Sequence, residues 1–138
     1  MDKGRVVTIF MGQLLRGRPL TVIGDGSQTR TFTYVDDAVR ATVEAGLVEN
    51  AVGQVINVGS DQEVSIREVA GLMVRLSGSS STVTYVSQES VYGQGYEDIP
   101  RRVPSNRRMR EILGVTAEVS LEDGLRRTIE WFRREGFE

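Results

Sequence analysis

Apolar residues recur at helical spacing near the start of the chain, at Val6, Val7, Phe10, Met11, Leu14 and Leu15, and the stripe closes at Gly17 and Pro19. The period then changes. Leu20 to Ile23 is a short β-branched run, Gly24 and Gly26 bracket a polar turn, and Arg30 to Val35 is again β-branched and aromatic. This pattern predicts two strands about a tight turn and then a helix opening at Asp36. That helix carries Val39, Val43, Gly46 and Leu47 on one face, with Asp36 and Asp37 in the turn where carboxylates favour the helix dipole. Residues 54–58, QVINV, read as a short strand ending at Gly59. Ser65 and Glu68 form a capping box ahead of Ile66, Val69, Leu72, Met73 and Leu76, and Gly78 closes that helix. Thr82 to Val86 alternates as a strand, whereas residues 87–100 hold no sustained period and read as a long loop. Pro104 and Ser105 open a helix that Gly114 ends. Ser120 to Asp123 opens the last one in capping-box fashion, with Leu121, Leu125, Ile129 and Phe132 inward and Trp131 alongside. The expected fold is α/β, a small mixed sheet with about five helices in a single domain spanning residues 1–138.

Composition narrows the chemistry. The chain has 138 residues, 39% of them hydrophobic and 26% charged, as in a soluble globular domain. A net charge of −2 argues against a general polyanion binder. There is no cysteine and no histidine, which excludes disulfides and thiolate metal sites and removes the commonest general base. No apolar run approaches the roughly 20 residues of a membrane span, and no signal peptide opens the sequence, so the default address is the cytoplasm.

Arg30 stands at the mouth of the second expected strand, beside a loop rich in polar backbone, where a guanidinium can grip two phosphate oxygens. The competing reading is an ordinary β-hairpin with a surface arginine. Asn57 ends the expected strand 54–58, and residues 101–110, RRVPSNRRMR, form an arginine run whose plain reading is a solvated helix face. Flanking acids cancel that run and no aromatic platform interleaves it, so nucleic acid is not an expected partner. The Gly24-Asp25-Gly26 turn leads into a strand rather than a helix, which is not a dinucleotide fingerprint. None of Tyr34, Tyr85, Tyr92 and Tyr96 has a lysine four residues on, and the sole lysine is Lys3. Asp25, Glu97 and Asp98 read as surface acids rather than catalysts.

Residues 19–37, PLTVIGDGSQTRTFTYVDD, resemble the signature of extended short-chain dehydrogenases that act on nucleotide sugars, through Gly24, Asp25, Gly26, Gln28, Arg30, Phe32, Tyr34, Val35 and Asp37. Thr31 and Ile23 stand where the family usually has Asp and Tyr. The arginine run resembles the family's R-r-x-P-D segment, with Ser105 in place of the Asp. Residues 113–131 resemble its closing phrase through Leu113, Gly114, Leu121, Glu122, Gly124, Leu125, Thr128, Ile129 and Trp131. The likeness runs from about Val6 to Phe132 in family order and is nearest to the UDP-glucuronate decarboxylase and dTDP-glucose dehydratase branches.

The resemblance implies the C-terminal, substrate-binding part of an NAD-dependent epimerase, dehydratase or decarboxylase, without the Rossmann half. It implies that the backbone of Thr21, Val22 and Ile23 meets the uracil or thymine edge. Arg30 and Arg102 (or Arg101) would neutralise the diphosphate of a UDP- or dTDP-sugar, and Gln28 and Asn57 would assist. It implies no catalytic residue and no cofactor bound by this chain alone, since NAD and the Tyr-x-x-x-Lys pair belong to the other half of the parent enzyme. In the family the strand at 54–58 joins the edge of the cofactor-binding sheet. Its unpaired edge is therefore expected to meet a Rossmann half or a second copy of the chain. A complementation module for a partner Rossmann chain and a truncated, non-functional fragment are the alternatives.

Overall fold

A computed structural model describes residues 5–95 and 97–136. The first helix, α1 (Val6–Leu15), turns Phe10, Met11 and Leu14 inward. Strand β1 (Leu20–Ile23) follows and pairs in parallel with β4 (Val83–Val86), Leu20 opposite Val83. A second sheet has β2 (Thr29–Thr31) at its centre, antiparallel to β3 (Glu63–Ser65) and parallel to β5 (Arg101–Arg102). The other helices are α2 (Val35–Leu47), α3 (Ile66–Ser77), α4 (Gln88–Tyr92), α5 (Arg107–Leu113) and α6 (Leu121–Glu135), with a 3-10 turn at Glu49–Ala51. The chain is α/β, as the pattern predicts, and its strands divide between two small sheets. No described helix is long and apolar enough to cross a membrane.

The two strands expected about this turn both form, but they do not pair with each other as a hairpin. Gly24 and Gly26 turn the chain at φ +72° and +71°, but the strand that follows joins a different sheet from β1. One edge is taken by β4, and on the other the Gln13 side chain holds Thr21 at both its amide and its hydroxyl, at 3.0 and 3.1 Å. The second strand is also shorter than the pattern suggests, because the chain leaves the sheet after Thr31 and α2 begins at Val35. Gly26 is required by space as well as by φ: a Cβ there would lie 2.8 Å from Val22 Cγ1 and 2.9 Å from Arg67 Cβ.

Residues 54–58 also depart from expectation and form no strand. A short strand persists where a neighbour answers its N–H and C=O groups. Here the partners are side chains instead: Arg108 donates to the Val55 carbonyl at 3.0 Å and Asn106 to the Gly59 carbonyl at 3.3 Å. The long loop at 87–100 contains the short α4, capped by the Ser87 hydroxyl accepting from the Ser90 N–H. Helix α5 starts at Arg107, later than Pro104, because residues 101–102 are drawn into β5.

The larger core joins α1, β1, α3 and α6 through Phe10, Met11, Leu20, Val22, Val69, Met73, Leu125 and Ile129. A smaller one gathers Ala41, Met109, Leu113 and Val115. The capping box of α3 is complete, Ser65 and Glu68 satisfying each other's amides. At α6 only half of the box forms: Ser120 accepts from the Asp123 N–H while the Asp123 carboxylate turns to Arg127 at 2.6 Å. The apolar stripe of α2 does share one face, but that face is outward. Val35, Val39, Val43 and Leu47 are all more than half exposed, and Ala41 and Asp37 fill the inner side.

Candidate functional site

A cleft of about 970 Å³ opens between α1, the end of β1, β2 and the segment that follows β5. Its size falls within the range of small-molecule sites. Thr21, Ile23, Gln28, Arg30, Asn57 and Arg102 all line it, so six of the residues singled out from the sequence come together. Val22 and Arg101 do not line it. The Val22 side chain is fully buried in the core beneath. The Arg101 guanidinium grips Glu63 from two nitrogens, at 2.9–3.1 Å, on the exposed side of the sheet. Glu63 is correspondingly held below the ordinary carboxylate range, first by the Thr29 hydroxyl and then by Arg101.

Strand geometry decides what β1 presents. The N–H groups of Leu20 and Gly24 donate to the Thr82 and Val86 carbonyls of the β4 side, both at 2.8 Å. Alternation therefore turns the polar backbone of Thr21 and Ile23 to the opposite edge, toward the cleft they line. Two groups on that edge have protein partners. The Thr21 N–H donates to Gln13 Oε1, and the Ile23 carbonyl accepts from Gln28 Nε2 at 3.0 Å. Among the described residues the Thr21 carbonyl and the Ile23 N–H have no such partner, an acceptor beside a donor.

The two arginines are placed by register. Arg30 on β2 is the direct partner of Arg102 on β5, and like charges opposite one another repel. Arg30 NH1 donates to the Thr29 carbonyl at 2.7 Å, and NH2 pairs with Asp98 at 3.0 Å. Among the described residues no hydrogen bond or ion pair engages the Arg102 side chain. Asn57 donates through Nδ2 to the Ser105 carbonyl at 3.1 Å, which ties the 54–58 segment to the rim. Gln13 is not among the residues singled out from the sequence, and Asp98, read there as a surface acid, instead lines the cleft as the partner of Arg30. Gln13 sits in the polar gap of an apolar stripe, and Asp98 lies in a segment without period, so nothing local ties either to the cleft.

The described residues do not fit a dinucleotide. Such a site needs a glycine-rich turn running from a strand into a helix N-terminus, and the Gly24–Gly26 turn runs into β2.

Comparison with known proteins bears on the family and the fold. The model of the NAD dependent epimerase/dehydratase family matches residues 1–59. A UDP-N-acetyl-alpha-D-glucosaminuronate decarboxylase of Bacillus cytotoxicus is 46% identical over 128 residues, which are 93% of this chain and 40% of that protein. The UDP-glucuronic acid 4-epimerase of Bacillus cereus, solved with UDP-glucuronic acid and NAD, superposes with a TM-score of 0.82 at 30% identity, over 95% of this chain and 40% of that one. The UDP-glucose 4-epimerase of Thermotoga maritima, solved with UDP-glucose, gives 0.85 at 29% identity, over 99% and 41%. The α/β fold is one that this chain shares with these enzymes. The chain belongs to the NAD dependent epimerase/dehydratase family, and it spans about two fifths of the length of the decarboxylase relative.

Proposed function

We propose that this chain is the nucleotide-sugar-binding portion of an NAD-dependent epimerase or decarboxylase, and that its cleft holds the nucleoside diphosphate of a UDP-sugar. One observation carries the reading: Arg30 and Arg102 stand side by side in one cleft, next to a strand edge with an acceptor and a donor to spare. A diphosphate relieves the repulsion of the two guanidinium groups and gives each a charge-assisted bond. A pyrimidine ring offers N3–H beside a carbonyl oxygen, the complement of the Thr21 carbonyl and the Ile23 N–H, so the base is read by backbone alone. UDP is preferred to dTDP because both similar structures were solved with UDP-sugars. The work done here is positioning, which aligns the sugar with chemistry performed elsewhere. NAD, in the parent enzyme, supplies the hydride exchange, and the residues that take part in it lie outside this chain.

The exposed face of α2 favours a related reading, in which the cofactor-binding half is a separate partner. Val35, Val39, Val43 and Leu47, with Val52 and Val55 beyond them, form an apolar surface beside residues 54–58, which belong to no strand. The relatives' remaining three fifths of chain is the occupant we assign to it.

Calorimetric titration of the chain with UDP and with dTDP tests the site. Saturable binding is expected, weakened by about 1.5–3 kcal/mol in Arg30→Ala, the worth of a hydrogen bond to a charged group. A folded chain that binds neither nucleotide at millimolar concentration overturns the proposal.

A further inference from the structure

Arg30 already has an anion on it. The Asp98 carboxylate meets its NH2 at 3.0 Å, and both groups are largely screened from solvent, with side chains 13% and 27% exposed. Asp98 lines the same cleft as Arg30 and Arg102. Its placement is built in: Asp98 Oδ1 also accepts the Ile99 N–H at 2.9 Å, and two residues on from Asp98 the Pro100 carbonyl accepts the Thr29 N–H at 2.8 Å. The stretch that brings Arg102 into register with Arg30 therefore also brings a carboxylate against it.

A carboxylate oxygen and a phosphate oxygen make the same demand on a guanidinium, a short charge-assisted bond to one N–H. On Arg30 the two anions compete for the N–H groups that the Thr29 carbonyl leaves open, and placed side by side they repel. We propose that Asp98 occupies on Arg30 the position of a phosphate oxygen, and that its charge restrains the affinity of the cleft for a diphosphate. This rests on reading the cleft as a nucleoside-diphosphate site. Binding exchanges one ion pair for another, so Arg30 contributes only the difference. The carboxylate left behind then faces the diphosphate across the same cleft, and this opposes binding further. A nucleoside without phosphate makes no claim on Arg30 and is indifferent to Asp98.

The test is an NMR titration of the 138-residue chain and of Asp98→Asn with UDP and with uridine. The amide retains an oxygen for the Ile99 N–H and loses the charge. UDP should bind Asp98→Asn roughly three- to tenfold more tightly, on the scale of a partly screened ion pair, with uridine affinity unchanged. Asp98→Ser, which also removes the charge, should move UDP binding the same way, and this separates loss of charge from a bond peculiar to the amide. Unchanged or weaker UDP binding in both variants, or an equal gain for uridine, overturns the role of Asp98 and leaves the nucleotide site standing. If UDP binds neither the unaltered chain nor the variants, the nucleotide site itself falls, and the inference with it.

Discussion

Asp37 lies in the first turn of α2, where a carboxylate is ordinarily a solvated partner of the helix dipole. Here it is buried, and it reaches across the fold. Its Oδ2 accepts the N–H groups of Glu118 and Val119 at 3.1 and 2.9 Å, and its Oδ1 pairs with Arg40 at 3.0 Å. It therefore fastens the segment between α5 and α6 to α2. Asp37→Ala leaves two backbone donors without their acceptor, takes one of three partners from Arg40, which keeps Glu118 and the Thr116 carbonyl, and should cost about 2–4 kcal/mol in urea denaturation. A loss below about 0.5 kcal/mol would mean that water replaces the carboxylate at no cost. The sequence marked Asp37 as an acid at a helix start but gave no sign of its distant partners. The same limit holds at Arg101 and Arg102. Neighbours on a strand point to opposite faces, so a single step decides which one meets the cleft and which one meets Glu63. Arg30 was legible because its glycine-bounded loop is a local pattern.

Helices were legible as elements because an amphipathic stripe and its caps are written within a dozen residues. α1, α3 and α6 lie where the stripes put them. The strands were legible as runs but not as pairs, since β1 and β2 have β-propensity and yet belong to different sheets. The 54–58 run shows that propensity without a partner makes no strand. The capped elements also set the response to acid. Glu68 is held below the ordinary carboxylate range by the Ser65 hydroxyl and then its N–H, Glu63 by the Thr29 hydroxyl and Arg101, and Asp25 by the Ser27 amide and hydroxyl. A depressed value means that the folded chain binds fewer protons than the unfolded one. Its stabilisation is present above the unfolded value of about 4.3 and is lost as pH falls through the folded values. With neither histidine nor cysteine in the chain, the melting temperature should be level from about pH 6 to 8 and should fall below about pH 4.5. Melts followed by circular dichroism at stepped pH check this, and a drop between pH 7.5 and 6 contradicts it.

At the scale of the molecule, the outward stripe of α2 separates stability from assembly. Val39 and Val43 are 55% and 54% exposed, so Val39→Glu with Val43→Glu should change folding stability by less than about 1 kcal/mol. The same pair should abolish copurification with a co-expressed cofactor-binding half of the family. Wild-type levels of copurification in the double variant would assign the stripe no part in docking. One feature of the two sheets bears on how the chain comes to be folded at all. Leu20 pairs with Val83, Thr29 with Arg101, and Thr31 with Glu63, so every ladder closes a loop of more than thirty residues. Such closures are slow, and a chain emerging from the ribosome holds β1 and β2 for a long interval before any partner exists for them. The stretch that the family model matches, residues 1–59, contains both strands and none of their mates. Translation must run past Arg102 before the second sheet can close, and synthesis halted before that point leaves a nascent chain with bare strand edges for chaperones to cover.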